Sequence, residues 1–443
     1  MKKLFTILIS ALVLISCSSD DDNNNGNNNN NNQTVDAPAT YLFTRNGENT
    51  VSYSGQSQRI AMAEELISAL KDETRDEVSL DAMFSHVEGD QDFSDPDMLE
   101  LNASSKNVRS KTAGSADYFS SNSTDANAIK ADFDSWISSQ VNDVFPNWEN
   151  TASPGNAGLA QELGGSIRYV NEKGLEYNQA FAKGLIGAFV TDQILNNYLS
   201  PSVLDGGDNV SNNDSDITDG DNNYTTMEHK WDEAYGYLFG GVPEDSQSNP
   251  LPTIGDNDSF LNKYVGKTNS DPDFNTIAQD IFDAFKLGRA AIVAKNYQVR
   301  DEQAAILQQK ISQVIAIRAI YYLQTGKSSI ESDDFGAAFH DLSEGYGFLT
   351  SLRFTRDTQT GTSIFTKSDV ASFISDLMND NSETGILYKG TLLLKVVKEN
   401  SGPKPIKSVS DFQRNPKEIL YVSKDSWYVK LRLYNYYLFN EKT

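Results

Sequence analysis

Apolar residues recur every three to four positions along most of this chain, a spacing that predicts helices. In "SQRIAMAEELISALKDE", Ile60, Ala63, Leu66, Ile67 and Leu70 share one side of a proline-free run. "ANAIKADFDSWISSQVNDVF" sets Ile129, Phe133, Trp136, Ile137, Val141 and Val144 on one side and stops before Pro146. "YNQAFAKGLIGAFVTDQILNNYLS" is apolar around much of its girth, as a central bundle helix would be, and ends before Pro201. Long helices are also predicted in "FNTIAQDIFDAFKLGRAAIVAKNY" and "EQAAILQQKISQVIAIRAIYYLQTG", the second closing on Gly326, and a shorter one in "KSDVASFISDLMND". Strand signals are few. "YLFT" and "TVSY" flank Asn46-Gly47, a turn dipeptide, so a small hairpin or extended pair opens the folded part. The final stretch "EILYVSKDSWYVKLRLYNYYLF" suits either a strand or a terminal helix. The pattern as a whole predicts a mainly α fold of helical bundles.

Two of the predicted helices resemble each other. "MEHKWDEAYGYLFG" (227–240) and "AFHDLSEGYGFLTS" (338–351) align with His, Glu, Tyr, Gly and Leu in register, and Tyr237 stands opposite Phe348. Histidine occurs only three times in the chain, so two in register carry weight. Each segment also follows a long apolar helix. This order predicts two similar helical units in tandem, about 40–255 and 256–443 of one helical region 40–443.

Residues i and i+4 of a helix lie one turn apart on the same face. His229 with Glu233, and His340 with Glu344, therefore each offer an imidazole beside a carboxylate. If the two units pack about a pseudo-twofold axis, these four side chains converge on a site suited to iron, zinc or a related metal. Asp232, Tyr235 and Tyr346 would then supply outer contacts. The competing reading is that each His–Glu couple only fixes packing, with Gly236 and Gly347 marking close helix contacts or helix ends. His86, in "MFSHVEGDQDF", reads as an ordinary surface histidine.

Charge and chain start add a compartment. With 37 Lys+Arg against 62 Asp+Glu, the formal net charge is -25, which disfavours nucleic acid and anionic lipid surfaces as partners. "MKK" followed by "LFTILISALVLIS" has the form of a signal peptide (1–16) and is too short to span a bilayer. "LISC" resembles a lipobox that makes Cys17 a lipidated residue, and as the only cysteine it leaves no thiol for disulfide or thiolate chemistry. The Asn- and Asp-rich stretch 17–39 has little to bury and reads as a disordered tether. Its "SSDDD" resembles acidic surface-export signals, which suggests an outer-membrane lipoprotein facing either the cell surface or the periplasm.

Two long linkers, 204–224 and 242–258, interrupt the helices. The first places Asp214, Asp216, Asp219 and Asp221 at spacings compatible with calcium, without the glycine and distal glutamate of an EF-hand loop. No zinc-peptidase helix, nucleophile elbow, P-loop, dinucleotide fingerprint or haem-attachment motif occurs.

The lipoprotein-type start, with "YLFTRNGENTVSYSGQSQRIAM" and "EHKWDEAYGYLFG", resembles an uncharacterised family of Bacteroidota lipoproteins over nearly the whole mature chain. More loosely, the histidine segments are similar to imelysin-like proteins, which are built from two helical bundles, carry a G-x-H-x-x-E motif and are associated with iron uptake. His229 and His340 match the motif's histidine; Asp232 and Ser343 stand at its glutamate position, and Met227 and Ala338 at its glycine. The expectation is thus a membrane-anchored lipoprotein binding a metal ion or a metal-bearing, haem-type ligand, working with protein partners of an uptake system. A non-catalytic binding or scaffold lipoprotein is the alternative, and a metal-dependent hydrolase, which needs an open coordination position and a base, is the third.

Overall fold

The structure is a computed structural model that describes residues 35–242 and 248–378. The signal peptide, Cys17, most of the tether and the ambiguous C-terminal stretch lie outside the described residues. Near its start, β1 (Thr44–Arg45) and β2 (Glu48–Asn49) pair antiparallel through Asn46 and Gly47. Both turn residues have positive φ, 55° and 86°, the mirror-image turn that Asn-Gly favours.

Helices then dominate. They are α1 (Ser54–Ala69), α2 (Glu77–Ser85), the short α3 (Ala116–Phe119) and α4 (Ser123–Ser139). A second hairpin follows, β3 (Gly158–Gln161) with β4 (Ile167–Val170), and leads into α5 (Tyr177–Leu185). Short α6 (Pro201–Leu204) and α7 (Asn209–Asp214) precede α8 (Thr226–Phe239), α9 (Leu261–Asn269) and α10 (Ile277–Val293). The series of described helices closes with α11 (Tyr297–Glu331), α12 (Phe335–Ser351) and α13 (Lys367–Met378). The architecture is mainly α, as the periodicity predicts.

The helix begun by α5 forms the axis of the core. It continues as π-type turns over Ile186–Thr191 and Ile194–Tyr198, and Leu185, Ile186, Phe189, Val190, Ile194 and Leu195 are all fully buried. A side chain accounts for the change of winding. The Ser351 hydroxyl accepts from the Gly187 amide at 2.9 Å and donates to the Lys183 carbonyl at 2.7 Å. Those two groups would bond each other in a regular α-helix, so the inserted hydroxyl opens that turn. A Cβ on Gly187 would overlap Ser351 Cα, so only glycine admits this approach.

α12 lies along α5 and Ile186–Thr191, whereas α8 packs on Ile194–Tyr198 near the other end. α11 and α12 form an antiparallel pair, and α10 packs on α11. Two expectations fail here. α11 runs past Gly326 to Glu331, because that glycine serves packing: a Cβ there would sit 2.6 Å from Leu342 Cγ of α12. His86 is not a surface residue but is 2% exposed, with Nδ1 2.6 Å from Asp92 and its ring edge-on to Phe93. Among the described residues, no helix is long and apolar enough to cross a membrane.

Candidate functional site

α8 starts on a reciprocal cap. The Thr225 hydroxyl accepts from the Glu228 amide, and the Glu228 carboxylate accepts from the Thr225 amide at 2.7 Å. That start fixes which residues share a face. His229 and Glu233 take one side, and Glu228, Asp232 and Tyr235 take the next.

On the first side the His229 ring stacks on Tyr224 with centroids 4.5 Å apart, and among the described residues its buried Nδ1 has no hydrogen-bond partner. Burial holds the imidazole below its usual pKa against the pull of Glu233, so it is neutral at pH 7. Glu233 accepts from Gln56 Nε2 at 3.0 Å and pairs with Lys230 at 2.8 Å. Burial pushes its carboxyl up, but Lys230, His229 and these hydrogen bonds outweigh that and hold it below the usual range. Lys111 and Lys230 lie 5.6 and 5.5 Å from the Tyr198 ring centre.

On the second side stands a buried ion network. Arg289, with no exposed surface, donates to Glu228 Oε1 and Asp232 Oδ1 at 3.0 Å each and to Thr50 Oγ1 at 3.1 Å. Arg45 makes a two-pronged contact with Glu228 at 2.9 and 3.1 Å, and Tyr41 donates to Asp232 at 2.7 Å. Tyr41 also stacks flat on Tyr235, 3.6 Å between centroids. Asp232 and Tyr235 are therefore partners of the N-terminal segment and of α10, not outer contacts of a site at His229.

α12 repeats the spacing with different partners. His340 Nδ1 lies 3.0 Å from Glu176 Oε2. Glu344 pairs with Lys183 Nζ at 3.1 Å and accepts from Tyr264 at 3.3 Å. Burial pushes the Glu344 carboxyl up; Lys183, His340 and hydrogen bonds more than reverse this and bring it down to about 2. Tyr346 is half-buried with its ring edge-on to Trp136, centroids 5.9 Å apart. The predicted close contacts of the paired glycines do occur: a Cβ on Gly236 would overlap Tyr53, just before α1, and one on Gly347 would overlap Lys183 of α5.

The four predicted metal ligands are not brought into one group. His229 and Glu233 belong to a helix at one end of the core axis, and His340 and Glu344 to a helix along the other. Among the described residues, no three of His, Cys, Asp and Glu stand close enough to hold a metal ion. The donor sets explain why: each glutamate is engaged by a lysine, and His340 by a carboxylate. The proposed calcium loop does not converge either. Asp214 accepts from Tyr297 at 2.6 Å, Asp216 pairs with Lys295 at 2.9 Å, and the Asp219 amide donates to Tyr224 O.

What sequence reasoning missed is a cationic, tyrosine-lined cluster around Glu344. Lys183, Lys267 and Arg318 lie 5.6, 5.3 and 5.6 Å from the Tyr264 ring centre, and Tyr322 packs edge-on to Tyr264. A signal was there: Lys183 in "FAKGLIGAF" and Arg318 in "VIAIRAIYY" are lone charges inside apolar runs.

The Lys183–Glu344 pair yields a pH prediction. A carboxyl depressed when folded stabilises fully above its unfolded pKa of about 4.5, and that contribution is lost as pH falls toward about 2. The shift corresponds to about 3 kcal/mol. Urea titrations from pH 6 to pH 2.5 should show a steeper acid limb in the wild type than in Lys183→Met. Parallel limbs would remove the pair from the stability balance.

The chain belongs to the family described as Domain of unknown function (DUF4856), whose model matches residues 38–399. No curated protein and no solved structure matches it.

Proposed function

We propose that this protein is a lipoprotein, tethered to the outer membrane through Cys17, that binds an anionic ligand without transforming it. A metal reaches it as a chelate whose ligating groups carry negative charge. The observation that carries this reading is the pairing of Glu344: its carboxylate is held by Lys183 at 3.1 Å, with Lys267 and Arg318 about the same tyrosine ring. A bare divalent cation would have to displace Lys183 and approach two further positive charges at low effective dielectric. A chelate rich in carboxylate oxygens meets those charges favourably. The lipobox, the acidic residues after Cys17, the resemblance of the chain to Bacteroidota lipoproteins and the looser likeness of its histidine segments to imelysin-like proteins support an iron-acquisition setting. The His–Glu pairs then hold α8 and α12 in place.

The test is metal analysis of the purified full chain after dialysis against ferric citrate and, separately, zinc chloride. We expect iron near one per chain with citrate retained alongside, little zinc, and loss of both iron and citrate in Lys183→Met. Stoichiometric zinc that disappears in His229→Ala/His340→Ala would overturn the reading in favour of a bare-ion site. Retention of neither iron nor citrate would overturn it outright.

A further inference from the structure

Arg318 lies midway along α11 and is 5% exposed, yet among the described residues it meets no carboxylate and no hydrogen-bond acceptor, and its buried Nε is unsatisfied. The other buried arginines are all engaged. Arg289 holds Glu228 and Asp232, Arg300 holds Asp205 and Asp301, Arg356 holds Asp117, and Arg59 donates to two backbone carbonyls. A buried guanidinium without an anion is a costly arrangement, all the more unexpected in a chain of net charge -25.

What Arg318 does touch is aromatic. Its guanidinium carbon lies over the rings of Tyr321 at 4.0 Å, Tyr322 at 4.8 Å and Tyr264 at 5.6 Å. Ring contacts stabilise the charge through the π faces and fix the orientation of the planar group, but they accept none of its in-plane N–H bonds. Those bonds match the two oxygens of a carboxylate or a phosphate.

The surroundings supply a second cation and exposed neighbours. Lys267 is exposed, and among the described residues its Nζ has one hydrogen bond, to the Tyr322 hydroxyl at 3.3 Å. Partial burial holds its ammonium below the usual pKa, against the pull of Glu344 and with the help of Arg318, Lys263 and Lys183. Glu344, the nearby carboxylate, is already paired with Lys183. Tyr321, whose ring lies 4.0 Å from the Arg318 guanidinium, is itself exposed.

We infer that Arg318, with Lys267 and the Tyr322 hydroxyl, forms an oxyanion-binding site that takes a carboxylate or phosphate group of a small ligand. The inference rests on the binding reading above and names the group by which the ligand is held. Arg318 makes the two-pronged contact in the buried part, and Lys267 closes over the anion from the solvent side. Because Arg318 is buried without a protein counter-charge among the described residues, an anionic ligand stabilises the fold, whereas a neutral isostere at 318 does not weaken it.

The test uses metal-free citrate and, separately, inorganic phosphate, titrated calorimetrically into the full chain at low ionic strength. At least one should bind saturably at one site per chain and raise Tm, and the pair of titrations tells carboxylate from phosphate. Arg318→Met should weaken that binding by about tenfold or more, with the ligand-free Tm unchanged or raised. Lys267→Ala, a substitution of an exposed residue, should weaken it several-fold and serves as the second variant should Arg318→Met fail to fold. No saturable binding of either anion, wild-type affinity in both variants, or a loss of several degrees in ligand-free Arg318→Met would overturn the site. Both probes lack metal, so a failure of iron retention leaves this result readable, and iron–citrate retained by Arg318→Met would sink this site alone.

Discussion

Arg289→Ala is expected to lose about 3–5 kcal/mol of stability, read as a drop in the urea midpoint at unchanged slope. Arg289 compensates two carboxylates with almost no exposed surface and also anchors Thr50. Truncating it leaves Asp232 without a cation, held by the Tyr41 hydroxyl, and leaves Glu228 with Arg45 and the Thr225 amide. The deficit should depend on pH in a definite direction. Burial already pushes Asp232 up to about 6 despite Arg289 and Tyr41, so its folded form binds a proton more readily than its unfolded form. Such a group relieves the fold as pH falls from its folded pKa toward about 3.8, and losing Arg289 raises that pKa further. The variant should therefore stand closest to wild type near pH 5 and furthest from it at pH 8. Adding Asp232→Asn should recover part of the loss, since the two residues share one bond network. A deficit under 1 kcal/mol that ignores pH would mean the network contributes little.

The same network bears on how the folded part begins. Tyr41, Arg45 and Thr50 all lie near the start of the described residues, and each is fastened to α8 or α10 by a buried or part-buried polar contact.

Periodicity served where it could. The stripe Ile129, Phe133, Trp136, Ile137 became the buried side of α4, and Asn46-Gly47 became the first hairpin, because in both cases the determinants are local. The β3–β4 hairpin went unread: four-residue strands around "ELGGS" carry too little alternation to stand out from turn residues. Gly326 looked like a helix end because local rules cannot see Leu342 across the pair. The candidate site divided in the same way. Spacing set His229 beside Glu233 and His340 beside Glu344, since that relation is internal to a helix. Whether the two pairs meet depends on how α8 and α12 dock on the core axis, and no spacing within either helix encodes that. Lys183 and Arg318 escaped notice because a charge among apolar residues declares its importance without naming its partner.

Gly347→Val should cost about 4 kcal/mol, above the usual range for overpacking, because the obstructing atoms are mainly backbone and the base of a side chain. A Cβ at 347 would overlap Lys183 Cβ and come within 2.9 Å of the Gly184 amide nitrogen. No rotamer relieves that, so α12 must move away from α5. Moving it withdraws the Ser351 hydroxyl from Lys183 O and Gly187 N, and the opened turn either closes to α geometry or is left with two buried groups unbonded. Gly345→Ala is the control on the same helix: the tightest contact of its Cβ would be the flexible Leu323 Cδ2 at 3.2 Å, with Leu323 Cγ and N at ordinary contact distances of 3.6 and 3.7 Å, and removing a helical glycine returns up to about 1 kcal/mol. Denaturant midpoints of the two variants, with amide exchange at Gly187, measure both effects. If Gly347→Val is as mild as Gly345→Ala, the close crossing of α5 and α12 cannot be what holds Lys183 against Glu344.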